Sequence, residues 1–596
     1  MSCPPRPVSS SILCLVLGLA SLVAPPLLWA QSPAAQPEQA PPANAAEREL
    51  RALYEAEWAW RQQEFGNVLE NGRWVSDGSL ASVTPQAQER RARYWQGVLD
   101  RLAGIDESQL SPEERVNAQV LRARLEAEVA NIRFRTYEAP FNSDTFFWTW
   151  LAPREAPQNE RQYRRLIERM RQIPRHFDEQ IANMRAGLAR GYSVPQVTLS
   201  GRDRTLELFT LEGAGNPWAQ LFARMPDSIP APVQRALRAE AETLLAGEVL
   251  PAYRGLLSFL REEYMPAART TIAARDLPDG AAFYRSQVRE YTTLELTPDE
   301  IHRIGLEEVA RISAEMHEVM AQAGFEGSFA EFLQFLRTDP QFYAKTPREL
   351  LSHASWVAKR VDGRLKDIFG TLPRYRFTIR PVPDEIAPIY TAGRGGLDSC
   401  LFNTWDLPSR PLYNLAALTL HECAPGHSHQ AAMALEAPAR PDFRRQIYFS
   451  GYGEGWGLYS EWLGRQMGIY ETPYEDFGRL SFEMWRAARL VIDTGLHDKG
   501  WTREQAIDYL AGHTALAMHD VQTEVDRYIS WPGQALAYQL GLISIKRMRA
   551  EAEQALGDSF DQRPFHDTIL ELGAVPLTTF EAEMRRWIEA RKQEQE

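Results

Sequence analysis

The sequence is short of positive charge, and this shortage excludes one class of function. Lysine and arginine total 66 against 79 aspartates and glutamates, so the formal net charge at pH 7 is −13. A protein that binds nucleic acid needs a surplus of basic side chains to neutralise phosphates. We therefore expect no nucleic-acid partner. Acidity of this size favours solubility and does not by itself identify a substrate.

The sequence also lacks an apolar run long enough to span a membrane. The N-terminal apolar run, residues 12–24, is followed by two prolines and then by a small-residue cleavage site at 28–30. This pattern predicts a signal peptide over residues 1–30, and hence an exported protein, periplasmic or secreted. Residues 31–46 are rich in proline, alanine and glutamine, which predicts a disordered tether. We expect no stable membrane insertion once the signal is removed.

Cysteine is scarce, with four residues in the chain. Cys14 lies inside the apolar run without a small residue before it, so a lipid anchor is the less favoured alternative to a cleaved signal. Removal of the signal leaves Cys400 and Cys423, which could pair in an oxidising compartment. We favour the other interpretation, in which Cys423 is a small buried residue of a helix.

Length and hydrophobic periodicity predict the organisation of the chain. At 596 residues it is too long for one ordinary core. Helical patterning covers residues 47–275, with a capping box at residues 111–114 and a long helix that ends at Gly191. It continues to about residue 369, with a second capping box at residues 297–300, and returns after about residue 404. Residues 375–380 and 400–404 alternate as short strands around a glycine-rich loop. The sequence thus predicts a mainly α protein with a small β element, divided into an N-terminal helical subdomain, 47–275, and a catalytic helical subdomain, 276–596.

Histidine is scarce as well, yet three of the 11 histidines fall within residues 421–430. An apolar run, residues 415–420, leads directly to His421 and Glu422. Zinc peptidases use a His-Glu pair at the end of a buried helix to hold the metal and to activate water. The stretch therefore predicts a metal site, with zinc as the cofactor and His421 as one ligand.

The spacing of the second histidine departs from the usual pattern, in which two histidines lie four residues apart. His427 follows His421 by six residues, which on a straight helix separates them by about 9 Å of rise. Pro425 lacks an N–H and Gly426 is conformationally free, so a break there would bring His427 beside His421. His429 is the less favoured ligand, because it lies about 12 Å along an unbroken helix.

A third ligand is expected on a helix farther along the chain. Glu454 and Glu461 lie seven residues apart, which is two helical turns, so they share one face. Glycines on both sides of Glu454 permit another backbone to approach closely. We predict that Glu454 is the third metal ligand and that Glu461 orients one of the histidines.

Taken together, these residues resemble the bacterial DUF885 family, which is related to the zincin peptidases of the thimet oligopeptidase and neurolysin type. Those oligopeptidases have histidines at i and i+4, so this chain departs from them at His427. The resemblance implies an elongated, mostly helical, zincin-like (neurolysin-like) architecture with a deep substrate cleft between two halves. It extends over most of the mature chain and includes residues 187–195, 291–316, 493–497, 500–502, 527–528 and 531–535.

The resemblance also implies how the site would work. Glu422 would be the general base on a zinc-bound water, taking its proton and passing it to the leaving amine. The developing oxyanion needs a hydrogen-bond donor, for which His497, Tyr538 and Tyr528 are the candidates.

Three further residues are candidates for substrate binding. Arg527, or Arg394 in its glycine-rich loop, could hold a carboxylate. Asn403, on the short strand before the motif, could pair with the substrate backbone at a sheet edge, and Tyr528 could also contact the substrate.

The expectation from sequence is an exported zinc-dependent peptidase that acts on short peptides. Two alternatives remain: a non-enzymatic exported protein with a vestigial metal site, and a metallohydrolase of a non-peptide amide such as a cell-wall fragment. The intact Glu422 argues against the first, since a purely structural site has no use for a base. The residues do not distinguish endopeptidase, carboxypeptidase and dipeptidase modes, and they do not indicate an oligomeric state.

Overall fold

The computed structural model describes residues 41–70, 73–153, 156–384, 387, 391–437, 440–516 and 518–594. The predicted signal peptide and the predicted tether up to residue 40 lie outside these residues. None of the helices in the described part of the chain is both long enough and apolar enough to cross a membrane.

The described chain opens with three helices that pack together, and a short hairpin connects the first two. Pro112 and the Ser111 hydroxyl, which accepts from the Glu114 amide, begin the third helix as the sequence predicts. The elements are α1 (Ala45–Glu64), β1 (Asn67–Glu70) paired antiparallel with β2 (Arg73–Ser76), α2 (Pro85–Ala103) and α3 (Pro112–Arg133).

A second group of helices is dominated by one long helix, which ends at Gly191 in the left-handed conformation with φ 78°. Gly191 was predicted as the C-terminal residue of this helix from the same chemistry, and the prediction is confirmed. The helices of this group are α4 (Glu160–Arg190), α5 (Arg204–Glu207), α6 (Pro217–Ala223), α7 (Ala231–Leu244), α8 (Leu250–Phe259) and α9 (Met265–Ala267).

A third group precedes the small sheet. Its longest helix begins with a capping box in which Thr297 and Glu300 each accept the other's backbone amide, as the sequence predicts. The helices are α10 (Gly280–Thr292), α11 (Pro298–Gln322), α12 (Phe329–Thr338), α13 (Pro347–Asp362) and α14 (Leu365–Ile368).

The small β element is a three-stranded sheet in the order β3-β5-β4. β3 (Thr378–Pro381) runs parallel to β5 (Ser399–Phe402), and β4 (Gly393–Gly395) runs antiparallel to β5. β4 was predicted as a glycine-rich loop, and this prediction is wrong. Glycine has a low intrinsic preference for strands, so the pairing with β5 rather than local sequence determines this edge strand.

Cys400 of β5 and Cys423 form a disulfide, with their Cα atoms 5.5 Å apart. The interpretation of Cys423 as an unpaired buried residue is therefore wrong. Both side chains are fully buried beside Leu415 and Phe402, and the bond ties the sheet to the stretch that holds the histidines.

We expect the Cys400→Ser, Cys423→Ser double variant to lose about 3 kcal/mol of unfolding free energy, because the bond closes a loop of 23 residues' separation in the unfolded chain. The midpoint of urea unfolding measures the change. A reductant should lower the wild-type midpoint to that of the variant and leave the variant unchanged. Equal midpoints for oxidised wild type and variant would contradict the prediction.

The chain after the sheet is again helical, which confirms the class as mainly α with a small β element. The helices are α15 (Leu415–Glu422), α16 (His427–Glu436), α17 (Asp442–Arg445), α18 (Ser450–Gln466), α19 (Pro473–Thr494), α20 (Arg503–His513), α21 (Met518–Ser530), α22 (Ala537–Leu556), α23 (Gln562–Leu572) and α24 (Leu577–Gln593).

The hydrophobic cores do not follow the subdomain boundary at residue 275. Buried residues of α1–α3 share one core with α13–α18 and α22–α24. A separate core is formed by residues 141–151 together with α4–α8. The division into 47–275 and 276–596 stays a prediction, but the first three helices pack with the C-terminal half.

α18 is positioned by an unusually close crossing with α22. A Cβ atom on Gly455 would lie 2.5 Å from the carbonyl carbon of Gly541, so only glycines permit this approach. The crossing lies one residue after Glu454, the predicted third ligand.

Candidate metal centre

His421 lies at the C-terminal end of α15, and its ring is buried against α18. The apolar run before it, residues 415–420, is almost wholly buried and fixes α15 in the core. A Cβ atom on Gly457 would lie 2.6 Å from His421 Cε1, so the glycine gives the imidazole its space. The helix therefore delivers His421 directly onto the face of α18.

The predicted break after His421 is confirmed. α15 ends at Glu422, and α16 begins at His427. Gly426 allows the turn between the two helices, since a Cβ atom there would lie 1.8 Å from the His421 carbonyl oxygen. The Trp456 indole, which donates to the Pro425 carbonyl over 2.9 Å, fixes the turn against α18.

The break brings His421 and His427 together with Glu454 of α18. One ligand atom from each of the three residues lies within 4.8 Å of the others. Both His421 Nε2 and His427 Nε2 lie 3.6 Å from Glu454 Oε2. Zinc–nitrogen and zinc–oxygen bonds of about 2.0–2.2 Å in tetrahedral geometry place neighbouring ligand atoms about 3.4 Å apart. The two distances to Glu454 are close to this value, so the three side chains could hold one metal ion.

Glu461, which lies two helical turns after Glu454 on α18, orients His421. Its Oε1 atom accepts from His421 Nδ1 over 2.7 Å, and its side chain is buried. A carboxylate only accepts, so Nδ1 carries the hydrogen and Nε2 is turned toward Glu454. Although burial alone would lower it, the carboxylates of Glu454 and Glu461 raise the pKa of His421 to about 10.

We expect Glu461→Gln to weaken zinc binding by about 10–100-fold, because the histidine loses a charged acceptor that fixes its ring and strengthens its lone pair. Competition with a chromophoric chelator measures the affinity. The unfolding midpoint of the variant should stay close to that of the wild type, which separates a ligand effect from a folding defect. Unchanged affinity would show that Glu461 does not support the ligand.

Glu422 is held beside the centre by the edge strand β4. Its Oε2 atom accepts from the Gly395 amide over 2.7 Å. Ser428 Oγ accepts from the Gly396 amide, which joins the residue after the strand to the motif once more, and it donates to the Glu422 carbonyl oxygen within the motif. A Cβ atom on Gly395 would lie 2.9 Å from His427 Cβ, so the residue whose amide holds the Glu422 carboxylate lies against the second histidine.

Tyr448 is a site residue that the sequence reasoning missed. Its hydroxyl donates to Glu454 Oε1 over 3.0 Å, while its ring is 43% exposed. Removal of the hydroxyl from water and the neighbouring Glu454 charge hold the pKa of Tyr448 well above its usual range, so it stays a donor. Its only sequence signal is its position just before α18.

His497 is not part of the centre, and its predicted catalytic role is corrected. Its ring is fully buried, with Nδ1 accepting from the Ala274 amide over 3.0 Å and Nε2 bonded to the Tyr528 carbonyl over 2.9 Å. Burial lowers the pKa of His497 to about 3. Both nitrogens are engaged in the core, so the side chain has no atom to offer to a substrate.

Tyr528 and Asn403 are likewise structural, contrary to their predicted substrate contacts. The Tyr528 hydroxyl is fully buried and accepts from Trp485 Nε1 and Arg489 Nε over 3.0 and 2.9 Å. Asn403 is fully buried, donates to the Ala387 carbonyl and accepts from the Trp405 amide. Both side chains stabilise the fold around them.

Arg527 is also corrected, because its guanidinium is paired inside the protein. It donates to Gln534 Oε1 over 2.6 Å and lies 3.2 Å from Asp144 Oδ2. Its exposed fraction is 2%, so it cannot take up a substrate carboxylate without losing these partners.

Tyr538 is buried in the first turn of α22. The Cζ atom of Arg489 lies 4.5 Å from its ring centre. The charge of Tyr538 contributes to the raised pKa of Tyr448. Its catalytic role stays a prediction.

The chain was compared with known proteins. No curated protein matches it. A putative lipoprotein from Colwellia psychrerythraea is 28% identical with a TM-score of 0.83, over 91% of this chain and 99% of that one. A putative lipoprotein of unknown function from Shewanella oneidensis is 16% identical with a TM-score of 0.65, over 91% of this chain and 100% of that one, and shares the fold.

One family model covers most of the sequence. The model described as "Bacterial protein of unknown function (DUF885)" matches residues 64–584, a range that includes α15, α16 and α18 with the three clustered side chains. The chain therefore belongs to the DUF885 family of bacterial proteins.

Proposed function

We propose that this protein is a zinc-dependent peptidase. The observation that carries the proposal is the convergence of His421, His427 and Glu454 on one point, with the Glu422 carboxylate held beside them by the Gly395 amide. A structural zinc site is closed by four protein ligands, whereas a catalytic site has three and keeps one position open. Three ligands with a carboxylate alongside fit the second kind of site.

The donor set favours zinc among the common metals. Two imidazoles and one carboxylate are a donor combination found in catalytic zinc sites, while calcium and magnesium take oxygen ligands. A zinc ion bound here supplies Lewis acidity, which polarises a carbonyl group and lowers the pKa of water. The protein's own side chains would carry out the proton transfers and hold the geometry.

Each side chain then has a distinct task. Glu422 takes a proton from the attacking water and delivers it to the leaving nitrogen. The Gly395 amide keeps the carboxylate pointing at the ligands. Tyr448 stays protonated and can donate to the carbonyl oxygen as negative charge develops there. Glu461 keeps the His421 ring in the orientation that presents Nε2.

We extend the proposal to architecture and location. The helix break, the distal glutamate and the mainly helical fold support a zincin-like arrangement related to the oligopeptidases. Two solved relatives are described as lipoproteins, which supports export to the cell envelope. The disulfide between Cys400 and Cys423 supports the same location, because such bonds persist in oxidising compartments.

The proposal is tested by metal analysis combined with peptide cleavage. We expect about one zinc ion per chain and new peptide ends when the protein is incubated with a peptide mixture analysed by mass spectrometry. Stripping the metal with a chelator should abolish cleavage, and adding zinc should restore it. A zinc-loaded protein that cuts nothing beyond what the stripped protein cuts would overturn the proposal.

A further inference from the structure

An unpaired arginine lies on the face of α19 near the metal centre. Arg486 is 7% exposed, and its Nη1 atom donates to the Phe482 carbonyl over 3.2 Å. Its Nε atom is buried and has no hydrogen-bond partner among the residues that the structure describes. A buried cation without a carboxylate is costly, so a protein normally pairs it.

The arginines on either side of it along α19 are paired. Arg479 lies 2.7 Å from Asp476 and 3.0 Å from Glu483, and Arg489 lies 2.9 Å from Glu524. Within the described part of the chain, Arg486 has no ion pair of this kind. One helix therefore carries two buried guanidiniums that are paired with carboxylates and, between them, one that is not.

Aromatic rings hold the Arg486 guanidinium in place without satisfying its charge. Its Cζ atom lies 4.4 Å from the Trp485 ring centre and 4.7 Å from that of Phe482. Stacking on aromatic faces restricts the plane of the guanidinium without using its N–H groups. The side chain is thus oriented in advance for a planar anion.

The position of Arg486 relates it to the metal ligands. Phe482, Trp485 and Arg486 share one face of α19 and keep 7–8% exposure, whereas Leu480 and Leu490 have none. Burial lowers the pKa of Arg486, and the charges of Glu461 and Glu454 oppose that effect. Phe482 and Trp485 also pack in one core cluster with Ala417, which lies one helical turn before His421 on α15, so this part of α19 lies against the helix that carries the first ligand.

We propose that Arg486 binds the C-terminal carboxylate of the peptide being cleaved, which makes the enzyme a carboxypeptidase-type exopeptidase. The inference rests on the proposed peptidase function and adds its substrate class. A free α-carboxylate belongs to the fragment that leaves as the amine, so the guanidinium would position the scissile bond relative to the metal ligands. Arginine meets a carboxylate with two parallel hydrogen bonds, which gives both affinity and orientation.

The test compares one peptide that the wild type cleaves, made with a free and with an amidated C-terminus. We expect kcat/KM to be on the order of 100-fold higher for the free carboxylate. In Arg486→Gln this preference should disappear, mainly because KM for the peptide with the free carboxylate rises. The zinc content should stay at the wild-type value. Arg486→Lys should keep part of the preference, because lysine keeps the positive charge but lacks the planar pair of N–H donors of a guanidinium. Arg303→Gln, at an exposed ion pair on α11, is the matched control and should keep the full preference.

Acidic side chains within the peptide could offer the same chemistry, so a third peptide replaces an internal glutamate by glutamine. If replacing the internal glutamate lowers kcat/KM and amidating the C-terminus does not, the assignment to the C-terminal carboxylate is overturned. A wild-type enzyme that cleaves free and amidated peptides equally well overturns it too, whether or not any variant folds. If Arg486→Gln still prefers the peptide with the free C-terminal carboxylate, the assignment of Arg486 is also overturned.

Failure of the peptidase proposal is recognised separately, because a zinc-loaded wild type would then cleave neither peptide. Binding still tests Arg486 in that case. Calorimetry with acetyl-alanyl-alanine and its C-terminal amide should show a preference for the free acid in the wild type and none in Arg486→Gln. Equal binding of both compounds to the wild type would remove the proposed carboxylate site.

Discussion

Glu422→Gln is expected to lower kcat/KM by about 10²–10⁴-fold, the range that a positioned general base contributes. Glutamine has the same shape and can still accept from the Gly395 amide, which the Glu422 carboxylate does over 2.7 Å. It cannot take up the proton of the attacking water. Zinc content and unfolding midpoint should therefore stay at wild-type values while the rate falls, as followed with one cleaved peptide under steady-state conditions.

The chain offers a matched control for this substitution. Glu436 also accepts backbone amides with its carboxylate, from Arg374 and Tyr375 over 2.8 and 3.0 Å, and it is not among the clustered ligands. Glu436→Gln should leave kcat/KM unchanged. If Glu422→Gln cleaves as fast as the wild type, Glu422 is not the base, and the proposed division of tasks fails.

His427→Ala is expected to weaken zinc binding by about 10²–10³-fold. Apparent binding free energies of about 10–16 kcal/mol for four-ligand zinc sites correspond to about 2.5–4 kcal/mol for each ligand. Loss of one of three protein ligands should thus leave a site that a moderate chelator empties. Chelator competition measures the affinity, and peptide cleavage should fall in parallel with the zinc content.

His429 supplies the control for this ligand assignment. It lies two residues from His427, but its ring is buried beside Phe369, with ring centres 4.7 Å apart, and burial lowers its pKa to about 3. His429→Gln should reduce stability through lost packing and leave the affinity of folded protein for zinc unchanged. The reverse pattern, zinc loss in His429→Gln and wild-type affinity in His427→Ala, would make His429 the ligand.

The parts of the site that the sequence predicted are those set by backbone chemistry and helical period. Pro425 and Gly426 predicted the break because one lacks an N–H and the other lacks a Cβ atom. Glu454 and Glu461 were found because a spacing of seven residues puts two side chains on one helix face. Both arguments are local, and the structure has α15 and α16 separated as expected.

The parts that the sequence did not predict depend on partners far away along the chain. The sequence predicts Arg527 and Tyr528 as substrate contacts, but Asp144 and Trp485 pair with them in the core. Tyr448 was missed because nothing local distinguishes it from any other tyrosine before a helix. The disulfide was judged the less favoured alternative because cysteine spacing does not reveal which elements lie opposite each other.

The glycines of α18 have a consequence for how the metal centre arises during folding. The 17-residue helix that carries Glu454 and Glu461 contains five glycines, at 451, 453, 455, 457 and 464. Each weakens an isolated helix by about 1 kcal/mol relative to alanine, so this segment would be a random coil as a free peptide. It becomes helical only where α22 and the His421 ring pack against it. Zinc should therefore bind the folded chain and not its fragments, and the metal should stabilise the whole core against global unfolding.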